Sequence, residues 1–197
     1  MSNPNEKSVA KSQRKQFDSI PRSEHVRIRA IKFAEISRVA QFASEHLPSL
    51  KLDDLSVFQR IVALDGDSIQ IFEAGGEIVG LYAMLFLNRQ GHCALVEDNF
   101  NGADPDIGHL ALNGEKPAAI YTWFVACPGR AVTGFGNVAE LLQGERFAHA
   151  DLYARPASAA GLRLMLGIGY EPIRSDPNGL HRYTRILNRP QFSEQAA

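Results

Sequence analysis

The segment 118–127 constrains this chain more than any other. Its run Ala-Ile-Tyr-Thr-Trp-Phe-Val-Ala reads as a buried strand, and a Gly-rich turn over 128–136 and a short helix over 138–143 follow at once. A second strong signal lies upstream. Gly75 and Gly76 stand alone between two apolar runs, 68–74 and 77–88, and a two-residue type I′ turn needs φ > 0 at both positions, so a hairpin is expected there. Residues 25–31 alternate Val26, Ile28 and Ala30 against Arg27 and Arg29, as a strand with one face on a core does. From 33 to 47 the apolar residues Phe33, Ile36, Ala40, Ala43 and Leu47 recur at helical steps, and Pro48 ends the pattern. Asp53 is suited to cap a second helix running to Leu64 with Leu55, Phe58, Ile61 and Val62 inward, closed by the turn Asp65-Gly66-Asp67.

Residues 89–117 read as an insertion, with possible strands at 93–96 and 108–112 around the polar stretch 97–106. A strand over 147–154, a helix over 159–166 capped by Ser158, and strands over 170–173 and 180–187 complete the chain. The sum is β-α-α-β-β-(insertion)-β-α-β-α-β-β, a mixed α/β fold with an α+β type of sheet.

Composition narrows the class. Of 197 residues 45% are apolar and 22% charged, which excludes collagen-like, wholly disordered and disulfide-scaffold chains. One domain over 26–187 is expected, between a disordered tail at 1–25 and a second tail at 188–197. Lys7, Lys11, Arg14, Lys15 and Arg22 make the first tail mildly basic, and a solvated tail is preferred to a nucleic-acid arm. A net charge of −1 supplies no general attraction to nucleic acid or anionic membrane, and neither is expected as a partner. The longest apolar run, 78–87, is too short to span a bilayer, and the first thirty residues hold no signal-like apolar stretch. Cys93 and Cys127 lack the C-x-x-C spacing, so a reducing cytoplasm is expected and a zinc site is not. Asn99, Asn101 and Gly102 match three positions of a calcium loop starting at Glu97, yet Gly108 stands where the bidentate Glu belongs, so no metal is expected.

The chemistry points to 129–137. A helix N-terminus presents unpaired N–H groups, and glycines let a phosphate approach the backbone. No Gly-Lys-Ser/Thr follows, so this is not a P-loop, and the dinucleotide pattern Gly-x-Gly-x-x-Gly is incomplete.

The segment Ala131-Val132-Thr133-Gly134-Phe135-Gly136, with Arg130 one residue early, resembles the Gln/Arg-x-x-Gly-x-Gly/Ala loop of the GCN5-related N-acetyltransferase (GNAT) superfamily. The helix from Ser158 and its ending Gly167-Ile168-Gly169-Tyr170 resemble the Tyr-x-Lys-Leu-Gly-Phe ending of that family, and the likeness covers most of 26–187. The resemblance implies a GNAT-like fold and an acyl-CoA-dependent N-acyltransferase, most simply an acetyltransferase. Acetyl-CoA or another acyl-CoA would be the co-substrate, an amine the acceptor, and attack direct. Arg130, Ala131, Val132, Thr133, Gly134, Phe135 and Gly136 would hold the pyrophosphate. The backbone of Phe124, Val125 and Ala126 would position the pantetheine arm and polarise the thioester. Exposed strand edges in such folds would also allow a homodimer. Met165 stands where the family's acid tyrosine belongs and Ala159 where an asparagine is common. The alternative reading is therefore a protein of this fold that binds CoA or a protein partner without turnover.

His149, Asp151 and Tyr153 fall at period two on the expected strand 147–154, either as a proton-transfer row facing the cleft or as an edge-facing polar row. Tyr82 is a core tyrosine or a second cleft residue. Cys127 reads as a buried inert thiol rather than an acyl carrier, since no activating neighbour accompanies it. If the insertion covers the acceptor site, its carboxylates favour a cationic amine.

Overall fold

The computed structural model describes residues 17–47, 55–185 and 188. Seven strands form one sheet in the order β1-β2-β3-β4-β5-β7-β6. They are β1 (Arg27–Ala30), β2 (Ile69–Ala74), β3 (Glu77–Leu87), β4 (Ala119–Ala126), β5 (Asp151–Ala154), β6 (Glu171–Pro172) and β7 (His181–Tyr183). The helices are α1 (Ile36–His46), α2 (Ser56–Leu64), α3 (Arg89–Val96), α4 (Phe135–Leu142) and α5 (Ala159–Gly167). Every neighbouring pair is antiparallel except β4 and β5, which run parallel and are joined through α4. Parallel neighbours need such a crossover, whereas the β2–β3 hairpin closes on Gly75 (φ 60°) and Gly76 (φ 85°), the type I′ turn expected.

Side-chain alternation divides the core between the two faces of the sheet. On one face Tyr82, Met84, Phe86, Ile120 and Leu152 pack with Val138 and Leu142 of α4. On the other, Ile69, Ile71, Leu81 and Ala83 receive Ile36, Val39 and Ala43 of α1 and Phe58 of α2. That second face continues through Leu85, Leu87, Leu95 and Tyr121.

Several expectations are corrected. Residues 93–96 belong to α3, which the Asn88 side chain caps by accepting from the Gly91 N–H at 3.0 Å. Of 108–112, only Leu110 bridges to Leu87. Phe33 is 59% exposed because a 3-10 turn over Phe33–Glu35 precedes α1 and shifts the helical phase. Of residues 17–25, expected in the tail, Phe17 is fully buried and Asp18 pairs with Arg185 at 3.0 Å, while Pro21, Arg22, Glu24 and His25 are exposed. Strand 147–154 is present only as β5, since the chain before Asp151 continues in turns, with Phe147 N–H and Ala148 N–H both donating to the Gly144 carbonyl. Pro48, Asp53 and the end of strand 180–187 lie outside the described residues.

Candidate functional site

The parallel pair β4–β5 stops early. Its register runs from Ala119↔Asp151 to Thr122↔Ala154, and beyond that point β4 continues alone to Ala126. Two local features part the strands. On the β3 side the register steps from Met84↔Thr122 to Ala83↔Phe124, leaving Trp123 as an extra residue, and such a bulge bends and twists its strand. On the β5 side Arg155-Pro156 follows directly, and proline has no N–H to extend a ladder. The strands therefore splay, opening a cleft of about 400 Å³. Thr122, Val125 and Tyr82 line its inner wall, Ser158, Gly161 and Met165 of the α5 region the opposite wall, and Val132 of the Gly-rich loop its mouth. Leu47 and Trp123 line it as well, and most of the lining is apolar. Along the β5 side of Phe124, Val125 and Ala126 no strand among the described residues pairs with the β4 backbone.

The Gly-rich loop is wound as a 3-10 helix, Gly129–Gly134, leading into α4. Arg130, Val132 and Thr133 are exposed, Ala131 and Phe135 buried. Both glycines of the motif face the protein. A Cβ on Gly134 would sit 2.7 Å from the Phe72 ring, and one on Gly136 would sit 2.0 Å from the Pro21 carbonyl oxygen. Their small size thus serves close packing, of Gly134 against β2 and of Gly136 against the segment before β1, which Asn137 also holds by accepting the Ser23 N–H at 2.8 Å.

The polar row His149, Asp151, Tyr153 does not form, because only Asp151 and Tyr153 are in β5. His149 is an exposed turn residue whose carbonyl accepts from Asn188 at 2.8 Å. Asp151 is buried and consumed by the protein itself. Its carboxylate accepts from Arg182 Nε at 2.8 Å, from the Arg185 N–H at 2.8 Å and from Asn188 at 2.9 Å. Tyr153 is 2% exposed, and its hydroxyl meets His92 Nε2 at 2.8 Å. Burial pushes the Tyr153 hydroxyl up and the His92 imidazole down, so both are neutral near pH 7. None of the three lines the cleft.

Tyr82 does line it. Its hydroxyl pairs with Thr122 Oγ1 at 2.8 Å, and the Tyr170 hydroxyl lies beside both. Burial pushes Tyr82 up to about 12 and raises Tyr170 as well. Sequence alone assigns no site role to Thr122, and places Tyr170 only in the ending of the motif after α5. The small hydroxyl of Thr122 inside the apolar run 118–127 is the available signal. Cys127 is also at the cleft, and burial raises its thiol to about 12, which fits an inert thiol donating weakly to the Leu81 carbonyl at 3.6 Å.

The insertion covers the α3 face of β4. Trp123 Nε1–H donates to the Gly102 carbonyl at 2.6 Å, and Phe100 meets the Tyr121 ring edge-on. None of its carboxylates lines the cleft, and three of them are engaged within the protein. Asp98 pairs with Arg155 at 2.6 Å, Asp104 pairs with Arg60, and Asp106 accepts the Gly108 N–H at 2.8 Å. Among the described residues no group of His, Cys, Asp and Glu could hold a metal ion, and no helix is long and apolar enough to cross a membrane.

No protein-family model matches the sequence, and no curated protein matches it. Solved structures do resemble it. The loading GNATL domain of CurA from Lyngbya majuscula aligns with a TM-score of 0.55 at 14% identity, over 83% of this chain and 99% of that one. A GNAT-family acetyltransferase from Streptococcus agalactiae gives 0.54 at 10% identity, over 82% and 96%. The diaminobutyrate acetyltransferase EctA from Paenibacillus lautus, solved with L-2,4-diaminobutyric acid and coenzyme A, gives 0.52 at 17% identity, over 84% and 98%. At such identities the likeness is one of backbone architecture: this chain has the GNAT acyltransferase fold.

Proposed function

We propose that this protein binds an acyl-CoA, acetyl-CoA in the simplest case, along the open edge of β4 and passes its acyl group to an acceptor by direct attack. The observation that carries the reading is the β4 backbone at Phe124, Val125 and Ala126, which no described strand pairs on its β5 side and which runs beside an apolar cleft. An extended amide-bearing arm would complete the ladder there as an added strand does. Backbone N–H groups beside the Trp123 bulge would polarise the thioester carbonyl, and the apolar walls would strengthen that effect by excluding water. Val132 lines the cleft at its mouth, where the phosphates would lie, its loop neighbours Arg130 and Thr133 are exposed and would reach toward them, and buried Ala131, Gly134, Phe135 and Gly136 would hold the loop in place. An amine acceptor would enter from the side of Leu47 and Trp123. Holding acceptor and thioester together is itself worth several kcal/mol of barrier, so turnover does not depend on an acid at Met165.

Binding without turnover is the second reading. It is favoured by Met165 at the position of the usual acid, and by a cleft in which no described lining residue is a carboxylate or an imidazole. Calorimetry with acetyl-CoA tests the shared premise. Val132 is 39% exposed, so Val132→Glu should leave the fold intact while setting a carboxylate against the phosphates. We expect acetyl-CoA affinity to fall about tenfold, with pantetheine affinity unchanged. Equal losses for both ligands would reject the placement of the phosphates, and failure of the parent to bind acetyl-CoA would reject the reading. An amine panel then separates the two readings: acyl transfer to any member establishes turnover, and binding without transfer favours the binder.

A further inference from the structure

The cleft has a closed end. A ligand paired along β4 from Ala126 toward Thr122 runs about 13 Å before it reaches the point where β5 pairs again. The phosphates of an acyl-CoA lie at the opposite end of its arm from the thioester. With the phosphates at the mouth by Val132, the sulfur therefore arrives near Thr122. Three hydroxyls meet at that end. Tyr82 of β3, Thr122 of β4 and Tyr170 after α5 come from separate elements, and Tyr82 and Tyr170 are each only 2% exposed. Phenylalanine and valine would fill the same space without desolvating any polar group, so packing does not explain the cluster.

The geometry points to the hydroxyl cluster Tyr82–Thr122–Tyr170 as the group that holds the negative charge on the departing CoA sulfur. This rests on the acyl-CoA reading above and adds to it a residue role that Met165 cannot fill. When the acceptor attacks the carbonyl carbon, the new bond forms and the C–S electron pair moves onto sulfur. Tyr82 O–H then donates a hydrogen bond to that sulfur, while Thr122 and Tyr170 keep the Tyr82 hydroxyl oriented. The thiolate takes its proton from the acceptor's ammonium, by way of water, as the products leave. Burial holds both tyrosines firmly protonated, and a thiolate, whose conjugate acid titrates near 8.5, is too weak a base to take their protons. They therefore act as fixed donors, as in an oxyanion hole, rather than as acids.

The test needs no acceptor. Free CoA ionises to a thiolate within an accessible pH range, and acetyl-CoA does not. We expect the affinity of the parent protein for CoA to rise about tenfold relative to acetyl-CoA between pH 7 and pH 9.5. In Tyr82→Phe that gain should shrink to less than about threefold, read as the ratio of CoA to acetyl-CoA affinity so that any common loss of binding cancels. Tyr170→Phe carries the same comparison should Tyr82→Phe fail to fold. A parent with no pH-dependent gain, or a gain that survives in both variants, would overturn the assignment. A parent that binds neither ligand would remove the acyl-CoA reading, and this role with it.

Discussion

Two buried polar groups flank β5, and they are built on opposite principles. The first is ionic. Asp151 accepts from Arg182, from the Arg185 N–H and from Asn188, and the Arg185 side chain reaches on to Asp18 at 3.0 Å and the Leu142 carbonyl at 2.8 Å. The second is neutral, the hydroxyls of Tyr82, Thr122 and Tyr170. In the ionic group charge meets opposite charge, so it locks chain ends onto the sheet and has little left for a ligand. The neutral group opens onto the cleft and can turn a hydroxyl toward an incoming acceptor atom at small cost. Charged side chains drew the sequence reading to Asp151, yet the uncharged cluster is the one placed where a ligand fits. A carboxylate marks chemistry only where its partners leave it free.

Stability measurements should separate the two groups. The largest effect is expected at Asp18. Arg185 is 3% exposed, and Asp18→Ala removes the carboxylate that pairs with its guanidinium and accepts from the Tyr183 hydroxyl. A loss of about 3–5 kcal/mol is expected in urea unfolding, whereas a loss below about 1 kcal/mol would show that the ionic group is not a lock.

A smaller effect separates the groups by pH. Tyr82 titrates near 12 in the folded chain against about 10 unfolded, so the unfolded state loses its proton first as pH rises. The contribution is fully present below pH 10 and is lost between pH 10 and 12, by about 2–3 kcal/mol. Tyr82→Phe should flatten this alkaline limb of the stability curve. An unchanged limb would mean that the hydroxyl cluster is more open to water than its burial indicates.

The smallest effect sharpens the comparison at β5 itself. Tyr153→Phe removes the hydrogen bond to His92 and keeps the ring among Leu85, Leu95 and Tyr121, costing about 1 kcal/mol. Acetyl-CoA affinity should stay within about twofold. A tenfold loss would bring Tyr153 back to the cleft and dissolve the distinction between the two groups.

Local patterns in the chain were enough for most of the scaffold. The Gly75-Gly76 turn, the helical steps through Ile36, Ala40 and Ala43, the apolar run of β4 and the Ser158 cap are decided by neighbours in sequence, and each is found where it was expected. The insertion was illegible because its helix depends on Gly91 packing against the His109 carbonyl, a contact across a loop. Strand 147–154 was overextended because alternation in a short segment cannot distinguish a strand from turns following a helix. The motif glycines were correctly located, but sequence could not show which way their missing side chains point.

The order of elements outside the insertion, and the central strand with its glycine-rich loop, follow from the sequence alone, because periodicity and turn chemistry act over a few residues. Where the cleft opens and what lines it depended on tertiary structure. The splay arises from a bulge at Trp123 against β3 and a proline after β5, and Tyr82, Thr122 and Tyr170 meet only once β3, β4 and the chain beyond α5 have packed. Asp151 looked free until Arg182 arrived beside it on the neighbouring strand. Hydrogen bonding and charge pairing act through space, and distance along the chain does not encode them.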